Sequence, residues 1–225
     1  MLALYAKVYG ISNADAYREI CEALQTGDYA PEYQSYQNRQ PQEIAQSARA
    51  SRQAIHQTLS IEQNLQAIRE KFAFTGKQFQ IQVPNKLEDI FMDSRKLCHC
   101  IANSNVYWER MERRESYLLF LRKTAEPDTP YYTVEAEPGG TVRQVRTQYN
   151  RQNDDIGEVR AFLKIWQKQI AKRLTQKDKQ LAADSHELRI KEMLQLRNDQ
   201  VTIHTGDLAG RLLVDVLTED LMEAA

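Results

Sequence analysis

The stretch KLCHCIANS, Lys96 to Ser104, sets a histidine between two cysteines in a chain that has three cysteines and four histidines in all. Imidazole and thiolate are the side chains that hold zinc and supply nucleophiles. A structural zinc site needs about four ligands, usually paired as C-x₂₋₄-C and H-x₃₋₅-H. Cys98 and Cys100 with His99 between them chelate poorly on a helix, where adjacent side chains point about 100° apart. Cys21, His56, His186 and His204 are the distant partners of the right type, and none of them is paired with another. We therefore expect no metal and no cofactor. The second chemistry is a reactive thiol, which needs a nearby cation, histidine or helix N-terminus to lower its pKa. Arg95, Lys96 and His99 adjoin Cys100, and Arg110, Arg113 and Arg114 could approach it. Neighbours along a helix do not face one another, so His99 is not simply the base for Cys100. The plain alternative is packing, with Cys98 turned inward as a small apolar residue.

Two further sets of residues could bind or react. Between Arg160 and Lys179 stand Arg160, Lys164, Lys168, Lys172, Arg173, Lys177 and Lys179, against one acid, Asp178. This basic run could meet phosphates, or be a solvated helix face. In YYTVEAE, Tyr131, Thr133, Glu135 and Glu137 share one face of a strand by period two. With Arg122, Arg143 and Gln144 nearby, that face is either the wall of a polar pocket or the wet side of an antiparallel sheet. Glu135 and Glu137 also have the E-x-E spacing of one class of ADP-ribosyltransferases, a spacing common in unrelated chains.

The elements that must position these groups are legible from periodicity. QFQIQV (78–83) alternates as a half-buried strand does, and Pro84 stops it. The segment from Leu87 to 112 reads as one helix, with Leu87, Ile90, Phe91, Ser94, Leu97, Cys98 and Ile101 along its apolar stripe. Strands follow at 116–122, 131–137 and 141–147, joined by Pro127, Pro130 and the turn Pro138-Gly139-Gly140, which argues for an antiparallel meander. Helices are expected at 156–175, with Val159, Phe162, Leu163, Trp166 and Ile170 inward, and at 184–199 and 208–223. Upstream, Pro41 to Glu70 has helical spacing. Residues 1–25 read as two helices, the second capped by Ser12 or Asn13, and a Tyr/Gln/Pro-rich linker follows. The fold class is α+β: a small antiparallel meander packed with helices, plus an N-terminal helical appendage. The expected division is 1–62 and 63–225.

Bulk properties narrow the partners. The net charge is −1 over 225 residues, so attraction to nucleic acid must come from a local patch rather than a global field. No apolar run approaches the ~20 residues that span a bilayer, and MLALYAKVYG lacks the pattern of a signal peptide. An odd cysteine count, with two of the three only two residues apart, suits a reducing cytoplasm. No membrane partner is expected.

The order of these motifs resembles the PcfJ-like family, proteins carried by conjugative plasmids, integrative elements and phages. Its pattern runs L-H-H-C-V-G, Y-x-x-R, an I-x-F-L-R strand, P-Y-x-T-x-E and Q-x-x-G-x-x-N. The matching positions are Leu97, His99, Cys100, Tyr107, Arg110, Phe120 to Arg122, Pro130, Tyr131, Thr133, Glu135, Gln144 and Asn150. LRNDQVTIHTGDLAGRLLVDVLTEDL is similar to the family's closing helix, so the resemblance covers about 65–222. The chain departs from the pattern at Cys98, Ala102 and Thr147, where the family has histidine, glycine and glycine. Residues 1–60 resemble instead the region following the CHC2 zinc domain of phage and plasmid DNA primases, without zinc ligands or polymerase domain.

Three functions follow from the resemblance and the residues. The first is a mobile-element accessory protein acting in DNA transfer or processing by binding, its partner DNA or a conjugation or replication protein, its contacts Arg160, Lys164, Lys168, Lys172 and Arg173. The second is an enzyme acting on a phosphate-bearing substrate, with a site built from His99, Cys100, Tyr107, Arg110, Arg122 and Glu135. There Glu135 or His99 would be the acid/base and Arg122 would hold the anion. The third is an inert fusion fragment.

Overall fold

The structure is a computed structural model describing residues 10–12, 14–15, 18, 41–99, 101, 104–204 and 207–224, with side chains of the long first helix described from residue 56. The chain divides into two compact units, 1–54 and 55–225. In the first unit Ser12 caps a helical turn as expected: the Asp15 N–H donates to Ser12 Oγ at 3.1 Å, and Ser12 Oγ donates to the Asp15 carboxylate at 2.6 Å. The rest of the N-terminal appendage up to residue 40 lies outside the described residues.

In order, the elements are α1 (Pro41–Phe72), β1 (Phe74–Thr75), β2 (Phe79–Gln82), α2 (Leu87–Leu97), α3 (Asn105–Glu112), β3 (Tyr117–Lys123), β4 (Tyr132–Ala136), β5 (Val142–Arg146), a 3-10 turn (Gln148–Asn150), α4 (Ile156–Ala171), α5 (Gln176–Asn198) and α6 (Leu213–Asp220). The strands form one antiparallel sheet in the order β1-β2-β3-β4-β5. This is the α+β meander expected, with β1 added. That strand pairs only Phe74 with Ile81 and Thr75 with Gln80, too short for alternation to reveal.

The register separates two chemically different faces. Leu119 lies opposite Val134 and Leu121 opposite Tyr132, and these turn toward α1 and α4. Phe72 packs edge-on against Tyr117 and Trp166, each at 5.8 Å between ring centres, and Trp166 Nε1 donates to the Phe72 carbonyl at 2.7 Å. On the opposite face stand Arg122, Thr133 and Glu135, with Leu118 and Phe120 between them. Here α2, α3 and α5 close over the sheet, so this face is not its wet side: Arg122, Thr133, Glu135 and Glu137 are all buried, although Phe120 and Arg122 reach the wall of a cleft. The outer edge of β5 is also covered, because Val142 and Met222 exchange both backbone hydrogen bonds at 2.9 Å.

Four expectations are corrected. The helix expected over 87–112 breaks after Leu97 and resumes at Asn105. Cys98 takes a left-handed backbone (φ 50°), the Cys98 N–H bonds the Arg95 carbonyl, and the His99 N–H reaches back to that of Ser94. That is a Schellman ending, usually marked by glycine; with cysteine there the sequence carried no stop signal. In consequence Cys98 is exposed, not packed inward. Tyr131 precedes β4 and escapes its alternation: its ring stacks on Phe79 on the apolar side, away from Thr133 and Glu135. Finally, α5 begins at Gln176 rather than 184, and α6 is confined to Leu213–Asp220. Only Ser185 and Arg189 of α5 are buried, so no apolar stripe marked its start.

Candidate functional site

Asp93 and Ser94 on α2, His99 just past its end, and Arg122 and Thr133 on the sheet form one hydrogen-bonded chain. Arg122 pairs with Asp93 Oδ1, and Thr133 Oγ1 donates to Asp93 Oδ2 at 3.2 Å. The Thr133 oxygen then accepts from His99 Nε2, 2.9 Å away, leaving His99 Nδ1 to accept from Ser94 Oγ at 3.1 Å. Ser94 Oγ also lies 2.9 Å from the His99 carbonyl. The Schellman turn creates this arrangement, because it folds His99 back beneath the helix that carries Asp93 and Ser94. Burial holds the His99 imidazole below its ordinary value of 6.5. Burial pushes the Asp93 carboxyl up, opposed by Arg122 and Thr133, and draws the Arg122 guanidinium down, opposed by Asp93.

A second network adjoins it along β4. Arg110 on α3 donates to Glu135 Oε1 at 2.9 Å, pairs with Glu192 of α5, and lies 3.6 Å from Glu115. Glu135 also accepts from Ser116 at 2.7 Å and Gln144 at 3.0 Å. Arg143 donates to Glu137 at 2.8 Å and Glu115 at 3.1 Å, and Arg189 on α5 donates to Glu137 at 2.8 Å. A β-bulge builds this cluster. Glu135 pairs with Gln144 but Ala136 with Val142, so Arg143 is the extra residue, aimed at Glu137 and Glu115 on the same side as the Glu135 carboxylate that Gln144 addresses. Desolvation works against the charge on Arg110, but Glu135, Glu192 and Glu115 outweigh it and its pKa is raised.

The six candidate enzyme residues are therefore placed as follows. His99 and Arg122 belong to the first network, and Arg110 and Glu135 to the second. Tyr107 sits beside the second, its hydroxyl 3.5 Å from the Gln144 amide; Cys100 lies outside the described residues. His99, Arg110, Arg122 and Glu135 are all more than nine-tenths buried, and each is bonded within the fold: Arg110 to Glu135, Arg122 to Asp93 and His99 to Thr133. The cavities beside them, about 20 Å³ against Tyr107, Thr133 and Glu135 and about 40 Å³ against Arg110, Arg143 and Glu192, are the size of one or a few waters. A larger open cleft of about 280 Å³ runs past Asn85, Lys96, Phe120 and Asp128, with Asp93 and Arg122 in its wall. Among the described residues no group of three or more His, Cys, Asp or Glu could hold a metal ion.

Sequence reasoning missed Asp93, Glu115, Arg189 and Glu192. One signal was available: Asp93 lies three residues after Ile90 and four before Leu97, a charge on the apolar stripe of α2, which requires a buried partner.

In the first network His99 makes a pH-dependent contribution whose sign is fixed by its burial. The unfolded chain takes up a proton at this histidine near 6.5, whereas folded His99 resists protonation until lower pH. The unfolded state then binds more protons, so stability falls as pH drops below 6.5, by at most about 1.4 kcal/mol per pH unit for one proton. Asp93, pushed up, contributes with the opposite sign. Urea unfolding at pH 7.5 and 5.5 should show a smaller loss on acidification for His99→Gln than for the native chain. An equal loss in both would place the proton uptake at another group.

The basic helix is partly spoken for. Arg160 donates to the Glu219 carbonyl at 3.0 Å and lies 3.7 Å from Asp220. Arg173 donates to the carbonyls of Glu70, Lys71 and Ala73, closing the end of α1. Asp178 is paired with Lys71 at 2.6 Å. Lys164, Lys168 and Lys172 are exposed along one side of α4, and Lys177 and Lys179 continue the exposed charge into α5.

A comparison with protein families decides the relationship: the model described as PcfJ-like protein matches residues 26–160. The chain belongs to the PcfJ-like family. No curated protein and no solved structure matches it. The PcfJ-like match begins well before residue 65 and takes in 26–60, part of the segment that resembles the primase region; no comparison shows that primase likeness. His99, Arg110, Arg122, Thr133 and Glu135 all lie within the matched residues and belong to the two buried networks. Among the described residues no helix is long and apolar enough to cross a membrane.

Proposed function

We propose that this PcfJ-like protein is an accessory protein of a mobile genetic element that works in DNA transfer or processing by binding, through the lysine face of α4. The observation carrying this reading is the contrast between the two candidate sites. The His/Arg/Glu signature is buried and consumed by its own hydrogen bonds, which suits a scaffold better than a place for substrate. Lys164, Lys168 and Lys172 are exposed, and none has an ion-pair partner among the described residues. They stand on a helix anchored by Val159, Phe162, Leu163, Trp166 and Ile170, so the charges are held on a firm base.

Fluorescence anisotropy with a labelled 30-base-pair duplex tests it. Three phosphate contacts give a slope of about −2.7 in log affinity against log salt, or roughly a 40-fold loss between 50 and 200 mM. Lys164→Gln/Lys168→Gln/Lys172→Gln should remove most of that slope while leaving the thermal melt unchanged, because the three side chains are exposed. Absence of duplex binding, or a slope indifferent to the triple substitution, would overturn the reading.

A further inference from the structure

We infer that the α4 face takes duplex DNA by its phosphate backbone without reading base sequence, an inference that rests on the binding function proposed above. Three observations carry it. The first is spacing: Lys164, Lys168 and Lys172 recur every four residues, about 6 Å of helix rise per step. Each strand of B-DNA places a charge about every 3.4 Å of rise along the duplex axis, so with α4 lying along that axis the lysines come close to every second phosphate of one strand.

The second is that α4's arginines and buried amide are already committed. Direct readout uses forked donors such as Arg to guanine and Asn or Gln to adenine. Arg160 is held by Glu219 and Asp220, and Arg173 by the last carbonyls of α1. Gln167 is buried and donates to the carbonyls of Gly140 and Met222, both at 2.9 Å, and Glu223 at 3.2 Å. The amide left on this helix, Gln169, is half-buried. The residues α4 presents fully to solvent are Gly157, Glu158, Ala161, Lys164, Ile165, Lys168 and Ala171, with Lys172 just past its end, and none of them carries a forked donor. Lysine meets a phosphate as a flexible point charge, without the fixed fork that specifies a base.

The third observation selects duplex over single strand. Binding of unpaired strands combines charge with aromatic platforms on which bases stack. α4's aromatics, Phe162 and Trp166, are both buried, while exposed Phe91 and Tyr149 belong to α2 and the 3-10 turn. Nothing exposed on α4 can stack, so the face suits a polyanion whose bases are turned inward.

The test compares three labelled probes of equal phosphate number: an AT-rich 30-base-pair duplex, a GC-rich one, and a 60-nucleotide single strand of mixed sequence. The expected result is equal affinity for the two duplexes within about twofold at every salt concentration. The single strand should bind at least fivefold more weakly. Lys164→Arg/Lys168→Arg/Lys172→Arg should retain duplex affinity, and the glutamine triple should lose it for both duplexes alike. A tenfold preference for one duplex that disappears in the glutamine triple would overturn this inference while leaving the binding function standing. Single-strand binding as tight as duplex binding would do the same. Failure of every probe to bind would remove both.

Discussion

Arg143→Met is expected to destabilise the folded chain by about 3–5 kcal/mol, because it strips donors from two buried carboxylates at once. Arg143 is 5% exposed and bonds both Glu137 and Glu115, which are 2% and 6% exposed. Methionine fills much of the same volume, so the loss reports uncompensated charge more than a cavity. Arg189 still holds Glu137, and Arg110 lies 3.6 Å from Glu115, which keeps the expectation at the level of one broken buried pair. For a domain of this size the melting temperature should fall by roughly 6–20 °C. The control is Arg113→Ala, which removes a 3.4 Å contact to the same Glu115 from a side chain 60% exposed. Exposed pairs contribute under about 1 kcal/mol, so that variant should melt close to the native chain. Similar melting of the two variants would mean that the buried network is not the structural unit proposed.

Asp93 and Arg122 should behave as a pair whose halves are costly to remove separately and cheap to remove together. Each is under 6% exposed, and each is the other's counter-charge. Asp93→Leu leaves a buried guanidinium, and Arg122→Met leaves a buried carboxylate; each should cost about 3–5 kcal/mol. The double variant removes both desolvation penalties and keeps an apolar contact with the Phe120 ring, over which the Arg122 guanidinium now sits at 4.5 Å. With Asp93 gone, the Thr133 hydroxyl can turn its proton to His99 Nε2, and His99 can donate from Nδ1 to Ser94, so the chain stays satisfied with the other tautomer. Most of the single-variant loss should therefore be recovered, and denaturant titration of all four species would give the coupling directly. Additive losses would show that the two residues act through different neighbours.

How much of the candidate site was legible can be judged residue by residue. Thr133 and Glu135 were rightly placed on one face, because strand alternation is a local property of the pleat. The extra strand residue in β5 was invisible, and with it the role of Arg143: period two sends 143 and 144 to opposite faces, and only the bulge overrides it. His99 stands between two cysteines in the sequence; its partners in the fold, Thr133 and Ser94, come from a strand 34 residues later and a helix five residues earlier. The basic run was legible as charge. That Arg160 and Arg173 are tied to Glu219 and to the end of α1 depends on elements 59 and about 100 residues away.

By itself the amino-acid order determined the α+β class, the order of the meander, the apolar stripe of α4 and the family to which the chain belongs. Each of these rests on short-range periodicity, turn residues or motif order, which need no knowledge of what packs against what. The tertiary structure alone decided which polar residues are inside. A buried carboxylate and a solvated one read the same along a sequence, and they differ only in whether an arginine from another element arrives to offset the loss of water. Here Arg110, Arg122, Arg143 and Arg189 arrive from α3, β3, β5 and α5, and the polar face of the sheet becomes an interior.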